Sequence, residues 1–158
     1  SGAPTPGIGG LYHLIGETTV YALADGLVVG PFTVSAAGTI TLAVAASKVH
    51  VGYLMTADLE TMRIEAGGAD GTAQGRRKHI SVVVLRLDQT GEGLFMGPSP
   101  SEALESVRIA PETLLDGDTE EFPWIGGTEQ AGRIALRHTL PTPCTITGIF
   151  PRMETSGN

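Results

Sequence analysis

The run ISVVVLRL, residues 80–87, limits the possible folds of this chain more than any other stretch. Its β-branched and aliphatic residues favour strands and are readily buried. Such a nearly continuous apolar run is typical of a strand that is covered on both faces. One face would carry Ile80, Val82 and Val84, and the other would carry Val83, Leu85 and Leu87. We therefore predict that this run is the central strand of a sheet.

Glycine and proline punctuate the rest of the chain, with 22 Gly and 10 Pro among 158 residues. This density favours short strands joined by turns over bundles of helices. The pair Asp25-Gly26 separates two strand-like runs and is typical of a type I′ hairpin, because both turn positions need a positive φ. We expect an all-β fold, in which a small hairpin-rich antiparallel module is followed by a β-sandwich or barrel-like domain.

The pattern along the chain predicts three regions. Residues 1–10 are rich in Pro and Gly and have no period, which is typical of a linker or arm. Residues 11–48 are expected to form the small antiparallel β module, and residues 49–158 the β-sandwich-like domain. In the second module, residues 58–65 alternate and predict a half-buried strand with Leu59, Thr61 and Arg63 on one face. Ser1 in place of Met suggests a piece of a longer chain.

The composition excludes several classes of function. The net charge of -7 and the pI near 5.0 would repel nucleic acid, so we expect no specific nucleic-acid binding, while passage of DNA stays compatible. Charged residues make up 17% of the chain, below the usual value of about 25%, which favours a surface partly covered by partner chains. No apolar run approaches the roughly 20 residues of a membrane helix, so we expect no membrane span.

A Gly-rich loop, residues 66–75, leads into three consecutive cations, Arg76, Arg77 and Lys78. The loop lacks the spacing of a phosphate-binding P-loop, and it precedes a strand where a phosphate loop would open a helix. The cations are then either a solvated face or partners for the carboxylates of a neighbouring chain. On so acidic a chain we favour the second alternative, and we treat these three residues as interface candidates.

No motif predicts a catalytic residue, a metal site or a cofactor. His13, His50, His79 and His138 have no metal-ligand spacing, and Cys144 has no second cysteine with which to form a disulfide or bind zinc. A nucleophilic Cys–His pair stays open, because its members can be distant in the chain, but a buried strand residue is the commoner explanation of Cys144.

The carboxylates clustered near residue 118 are compatible with glycoside hydrolysis or calcium binding, but are more simply solvated acids of a turn: Glu112, Asp116, Asp118, Glu120 and Glu121.

Trp124 is the only tryptophan and lies in the segment FPWIGG. An aromatic residue beside Pro and two glycines can anchor a loop on the core, or it can serve an interface or a sugar platform. We favour core anchoring and keep Trp124 as a further interface candidate.

Two segments resemble the tail hub or nozzle (tail tubular) proteins of short-tailed bacteriophages. The first is VHVGYLMTADLETMRIEAGGADGTAQGRRKHISVVVLRL, residues 49–87, which follows ALADG at residues 22–26. The second is LLDGDTEEFPWIGGTEQAGRIALRHTLPTPCTITGIFPRME, residues 114–154. The resemblance spans nearly the whole chain, residues 11–155, which looks like the C-terminal domain of such a protein.

This resemblance implies a structural protein of the virion, assembled in the host cytoplasm as a ring of identical copies beside other tail proteins. It transfers no catalytic residue and identifies no ligand-binding residue. A carbohydrate-binding module that reads a host glycan is the alternative, based on Trp124 with Tyr12, Tyr21 and Tyr53. A hydrolase that uses paired carboxylates or Cys144 is the third and weakest hypothesis.

Overall fold

The computed structural model of the chain describes residues 3–65, 76–102, 104–128 and 131–156, and they form an all-β fold with one short 3-10 turn, Tyr12–Leu14. The strands of the N-terminal half are β1 (Thr5–Ile8), β2 (Val20–Ala24), β3 (Leu27–Phe32), β4 (Ile40–Ala46) and β5 (Val49–Gly52). The remaining strands are β6 (Ala57–Glu60), β7 (Arg77–Thr90), β8 (Leu94–Gly97), β9 (Glu105–Ser106), β10 (Leu115–Asp118), β11 (Phe122–Pro123), β12 (Ala135–His138) and β13 (Thr145–Ser156). In the described residues, no helix is long and apolar enough to cross a membrane.

The first module encloses its own core between a two-stranded sheet, β1-β4, and a three-stranded sheet, β3-β2-β5. The core comprises Leu11, Leu14, Val20, Ala22, Val34, Ile40, Leu42 and Ala46. The predicted hairpin turn joins β2 to β3, and Asp25 and Gly26 have φ values of 50° and 98°. The type I′ interpretation of this pair is therefore confirmed, since both residues have the positive φ that such a turn needs.

The limits of this module differ from the predicted ones. Residues Thr5–Ile8 pair with β4, so the segment predicted as a linker contains a strand. Proline and glycine are tolerated there because β1 is an edge strand. Strand β5 pairs with β2, which moves the boundary from residue 48 to beyond residue 52. The carboxylate of Asp25 accepts hydrogen bonds from the backbone N–H groups of Ser47 and Lys48, at 2.8 and 2.7 Å, and so directs the chain back along β2.

The second module is a β-sandwich-like arrangement of two four-stranded sheets. One sheet has the order β6-β12-β8-β9. In the other, β7 is central, as predicted: β13 pairs along one edge, and β10 and β11 pair with different parts of the opposite edge. Both sheets contribute to one apolar core: Ile80, Val83, Leu85, Leu87, Leu94, Met96, Val107, Trp124, Ile134 and Leu136.

The predicted division of β7 into two covered faces needs correction. The register with β13 passes from Ile80↔Met153 to Val82↔Arg152, so Ser81 is an extra residue on β7. Such a bulge breaks the period-2 alternation of the strand. Ile80 therefore shares the fully buried face with Val83, Leu85 and Leu87, whereas Val82 and Val84 are only half-buried. A bulge leaves no mark on an unbroken apolar run, so the pattern alone could not locate it.

Candidate functional site

The three consecutive cations do not form one surface. Arg76 and Arg77 are exposed, but Lys78 is only 1% exposed and occupies the inward face at the start of β7. The Lys78 side chain packs against Gly132, where a Cβ atom would lie 3.0 Å from Lys78 Cδ. The expectation that Lys78 belongs to a solvated or partner-facing surface is therefore wrong, because strand alternation turns residue 78 inward with Ile80. The preceding Gly-rich loop, residues 66–75, lies outside the described residues.

Trp124 is anchored in the core of the second module, as the favoured interpretation predicted. Its exposed fraction is 9%, and its backbone N–H donates to Ser81 O at 3.1 Å. The indole covers Gly126, where a Cβ atom would lie 2.3 Å from Nε1. Nε1 itself is buried and has no hydrogen-bond partner within the described chain. A ring held in this way has no free face for a sugar.

Two acids of the predicted cluster, Asp118 and Glu121, pair with arginines on the outer face of the β7 sheet. Arg86 binds Asp118 through two hydrogen bonds, Nε to Oδ1 at 2.7 Å and Nη2 to Oδ2 at 2.9 Å. Arg152 Nη2 donates to Glu121 Oε1 at 2.9 Å. The hydrogen bonds from Arg86 lower the pKa of Asp118, whereas a glycosidase acid needs a raised pKa. Asp118 is thus held ionised as a cross-strand ion-pair partner.

Cys144 and His138 do not form an activated pair. Cys144 is half-buried against the core, and burial raises the pKa of its thiol, which disfavours the reactive thiolate. His138 Nε2 lies 3.0 Å from Thr142 Oγ1 and 3.3 Å from Glu92 O. Burial lowers the pKa of His138. In the part of the chain that the structure describes, no three His, Cys, Asp or Glu side chains are placed to hold a metal ion.

The most distinctive surface is the outer edge of β6. All of its residues are exposed, and within the described ranges it pairs only with β12. Three apolar side chains on or beside it face solvent: Leu59 is 46% exposed, Met55 81% and Met62 88%. Soluble proteins commonly shield an open edge strand with charges or cover it, since its free backbone groups can pair with another chain. We call residues 55–63 the β6 edge segment.

The charges on β6 do not shield it, because arginines of the neighbouring chain segment neutralise them. Arg137 donates two hydrogen bonds to Asp58, from Nε to Oδ1 at 2.6 Å and from Nη2 to Oδ2 at 2.8 Å. Arg133 Nη1 donates to Glu60 Oε1 at 2.9 Å. The predicted half-buried strand over residues 58–65 is corrected here: the strand spans 57–60, and all four of its residues, Leu59 included, are exposed. The sequence signal for this exposed edge was the pair of methionines on either side of a short acidic strand. The alternation of apolar and polar residues alone does not show whether either face of the strand is covered.

A groove of about 760 Å³ opens at the opposite edge of the same sheet. Its apolar floor is made by Met96, Val107, Leu115 and Phe122, and its rim includes Glu105, Asp118, Glu120, Glu121 and one cation, Arg108. Asp118 and Glu121 are already paired with arginines, as described above. Glu105 and Glu120 form no ion pair with any described residue. We call this feature the acidic groove.

No family model matches this chain, and a search of curated proteins finds none with significant similarity.

Proposed function

We propose that this chain is a structural domain that assembles beside copies of itself and other proteins in the tail of a short-tailed bacteriophage. The observation that carries the proposal is the β6 edge segment, whose outer edge pairs with no strand among the described residues and which has three exposed apolar side chains. Exposed apolar groups on an open edge are typical of surfaces that another chain covers. The phage-tail context rests on the resemblance of residues 49–87 and 114–154.

Electrostatics supports association with protein over association with nucleic acid. The chain has a net charge of -7, and the described residues include four arginines that form ion pairs with carboxylates of the same chain. Contacts with phosphate hold DNA through the release of counterions, and they need free cations. An acidic ring subunit would allow DNA to pass without retaining it.

The carbohydrate-binding alternative loses its main support. Trp124 is buried, and Tyr21 is half-buried within β2. Tyr12 and Tyr53 remain exposed, at 71% and 51%. No observation joins these two rings into one platform, and the proposal therefore stays with assembly.

The test is to locate the chain in virus particles. Antibodies raised against the 158-residue chain should label the tail of phage particles whose genome encodes it, in negative-stain electron micrographs. Light scattering of the protein that contains this sequence should show a ring-sized oligomer. Absence of label from intact and partly disrupted particles, together with a strictly monomeric protein, would refute the proposal.

A further inference from the structure

We infer that the β6 edge of one copy adds to the open edge at β9 of the next copy, so that one β-sheet continues from subunit to subunit. The inference rests on the proposed self-association and specifies the two surfaces that make the contact. Its partner is a second copy of this chain.

The first argument is the order of the strands. β6 and β9 are the two outer strands of the β6-β12-β8-β9 sheet, and each pairs with a single strand among the described residues. All three pairings are antiparallel, so β6 and β9 run in opposite directions. A second copy placed in the same orientation therefore brings its β6 antiparallel to β9. The contact preserves the pattern of the sheet without turning any copy over.

The consequence for assembly follows from this orientation. The contact joins two different surfaces of identical chains, and such a head-to-tail contact closes into a ring when the rotation per copy allows it. A symmetric β6–β6 contact, by contrast, would join the same surface of both copies and would close at a dimer.

The second argument is the chemistry of the acidic groove, which adjoins β9. Glu105 lies on β9 and on the rim of the groove, and Glu120 lies on the same rim. The β6 edge segment combines exposed Met55 and Met62 with the exposed cation Arg63. Methionine is flexible and fills irregular apolar surfaces, so it suits the apolar floor of the groove. Arg63 is complementary to Glu105 and Glu120, the two rim carboxylates that form no ion pair with the described residues of their own copy.

The experiment is chemical cross-linking of single-cysteine variants of the 158-residue chain. Cys144→Ser removes the native thiol, and either Leu59→Cys on β6 or Glu105→Cys on β9 is added to it. Each variant is treated with a short bis-maleimide, alone and in an equimolar mixture. The head-to-tail contact predicts a covalent dimer in the mixture and little in either variant alone, because neither carries both thiols of the contact.

A control variant and two contrary outcomes make the result decisive. Val44→Cys in the same background places a thiol at a position that is 78% exposed in the first module, and it should not cross-link to Glu105→Cys. Strong cross-linking of Leu59→Cys alone would indicate a β6–β6 contact and overturn the inference. The absence of a mixed dimer at any protein concentration would overturn it as well. Either of these two results would overturn the β6–β9 contact and leave the expected labelling of phage tails unaffected. The contact and the proposed function can therefore be refuted independently.

Discussion

Arg137 and Asp58 are direct partners in the antiparallel register of β12 and β6, and they are joined by two hydrogen bonds of 2.6 and 2.8 Å. Arg86 and Asp118 repeat this relationship in the other sheet, where they face each other on β7 and β10. In each sheet, a two-point ion pair therefore fixes a short outer strand to a longer or more buried one.

These two pairs predict a loss of stability in acid. The hydrogen bonds from arginine lower the pKa of Asp58 and of Asp118 in the folded chain. A carboxylate with a lowered folded-state pKa stabilises the fold above its unfolded-state pKa, and that stabilisation is lost as the pH falls through the folded-state value. We expect the urea midpoint to decrease below about pH 4, the usual range of aspartate. The Asp58→Asn and Asp118→Asn variants should show a smaller decrease between pH 6 and pH 3.

Asp88→Asn is the control for this experiment, because Asp88 is exposed and forms no ion pair with the described residues. This variant should keep the acid sensitivity of the unmodified chain. An identical pH dependence in all four proteins would show that the arginine pairs do not contribute.

The two faces of β7 should respond differently to truncation. Leu85 is fully buried between the sheets, and Leu85→Ala should lower the free energy of unfolding by about 2–5 kcal/mol, the usual cost of a cavity in a core. Val84→Ala removes part of a half-buried side chain on the other face and should cost clearly less. Chemical unfolding followed by circular dichroism measures both values. Equal losses would contradict the one-sided burial of this strand.

The packing of Trp124 on Gly126 can be tested with a pair of glycines. Gly126→Ala places a Cβ atom 2.3 Å from Trp124 Nε1, and such crowding should cost about 1–3 kcal/mol. Gly127→Ala is the matched control, since a Cβ atom at Gly127 has nothing within 4 Å. Because Trp124 is the only tryptophan, its fluorescence reports the change directly. We expect blue-shifted emission, shielded from acrylamide in the unmodified chain and more accessible in Gly126→Ala.

The β6 edge segment should control self-association. Met62 is 88% exposed, so Met62→Glu should leave the fold intact while placing a charge on the apolar surface. We expect sedimentation velocity to show a shift toward monomer. Val44→Glu changes a similarly exposed residue, at 78%, in the first module and should leave association unchanged. An equal effect of both substitutions would assign the result to general charge repulsion.

The sequence predicted the fold class and the local turns well, because both depend on short-range patterns. The pair Asp25-Gly26 predicted its hairpin because both residues can adopt a positive φ. The apolar run of residues 80–87 predicted the central strand. The limits of the modules were harder to predict. They depend on pairings such as β2 with β5 and β1 with β4, which join residues that are far apart in the chain.

The surface was the least predictable part. Lys78 belongs to a cationic run, yet its position on the strand turns its side chain inward. The composition of a strand does not show which of its alternate residues face the core. The β6 edge was predicted as half-buried because its residues alternate. Whether an alternating strand is covered depends on which other strand lies beside it, and only the three-dimensional arrangement supplies that information.

The pairing of β7 with β13 also affects how the chain acquires its structure. The residues that these strands pair are far apart in the chain, from 57 positions for Asp88 with Thr145 to 79 positions for Arg77 with Ser156. Contacts between such distant residues close large loops and slow folding. During synthesis, β7 therefore has no long partner strand until β13 has emerged from the ribosome, and in that interval its apolar residues 80–87 can aggregate.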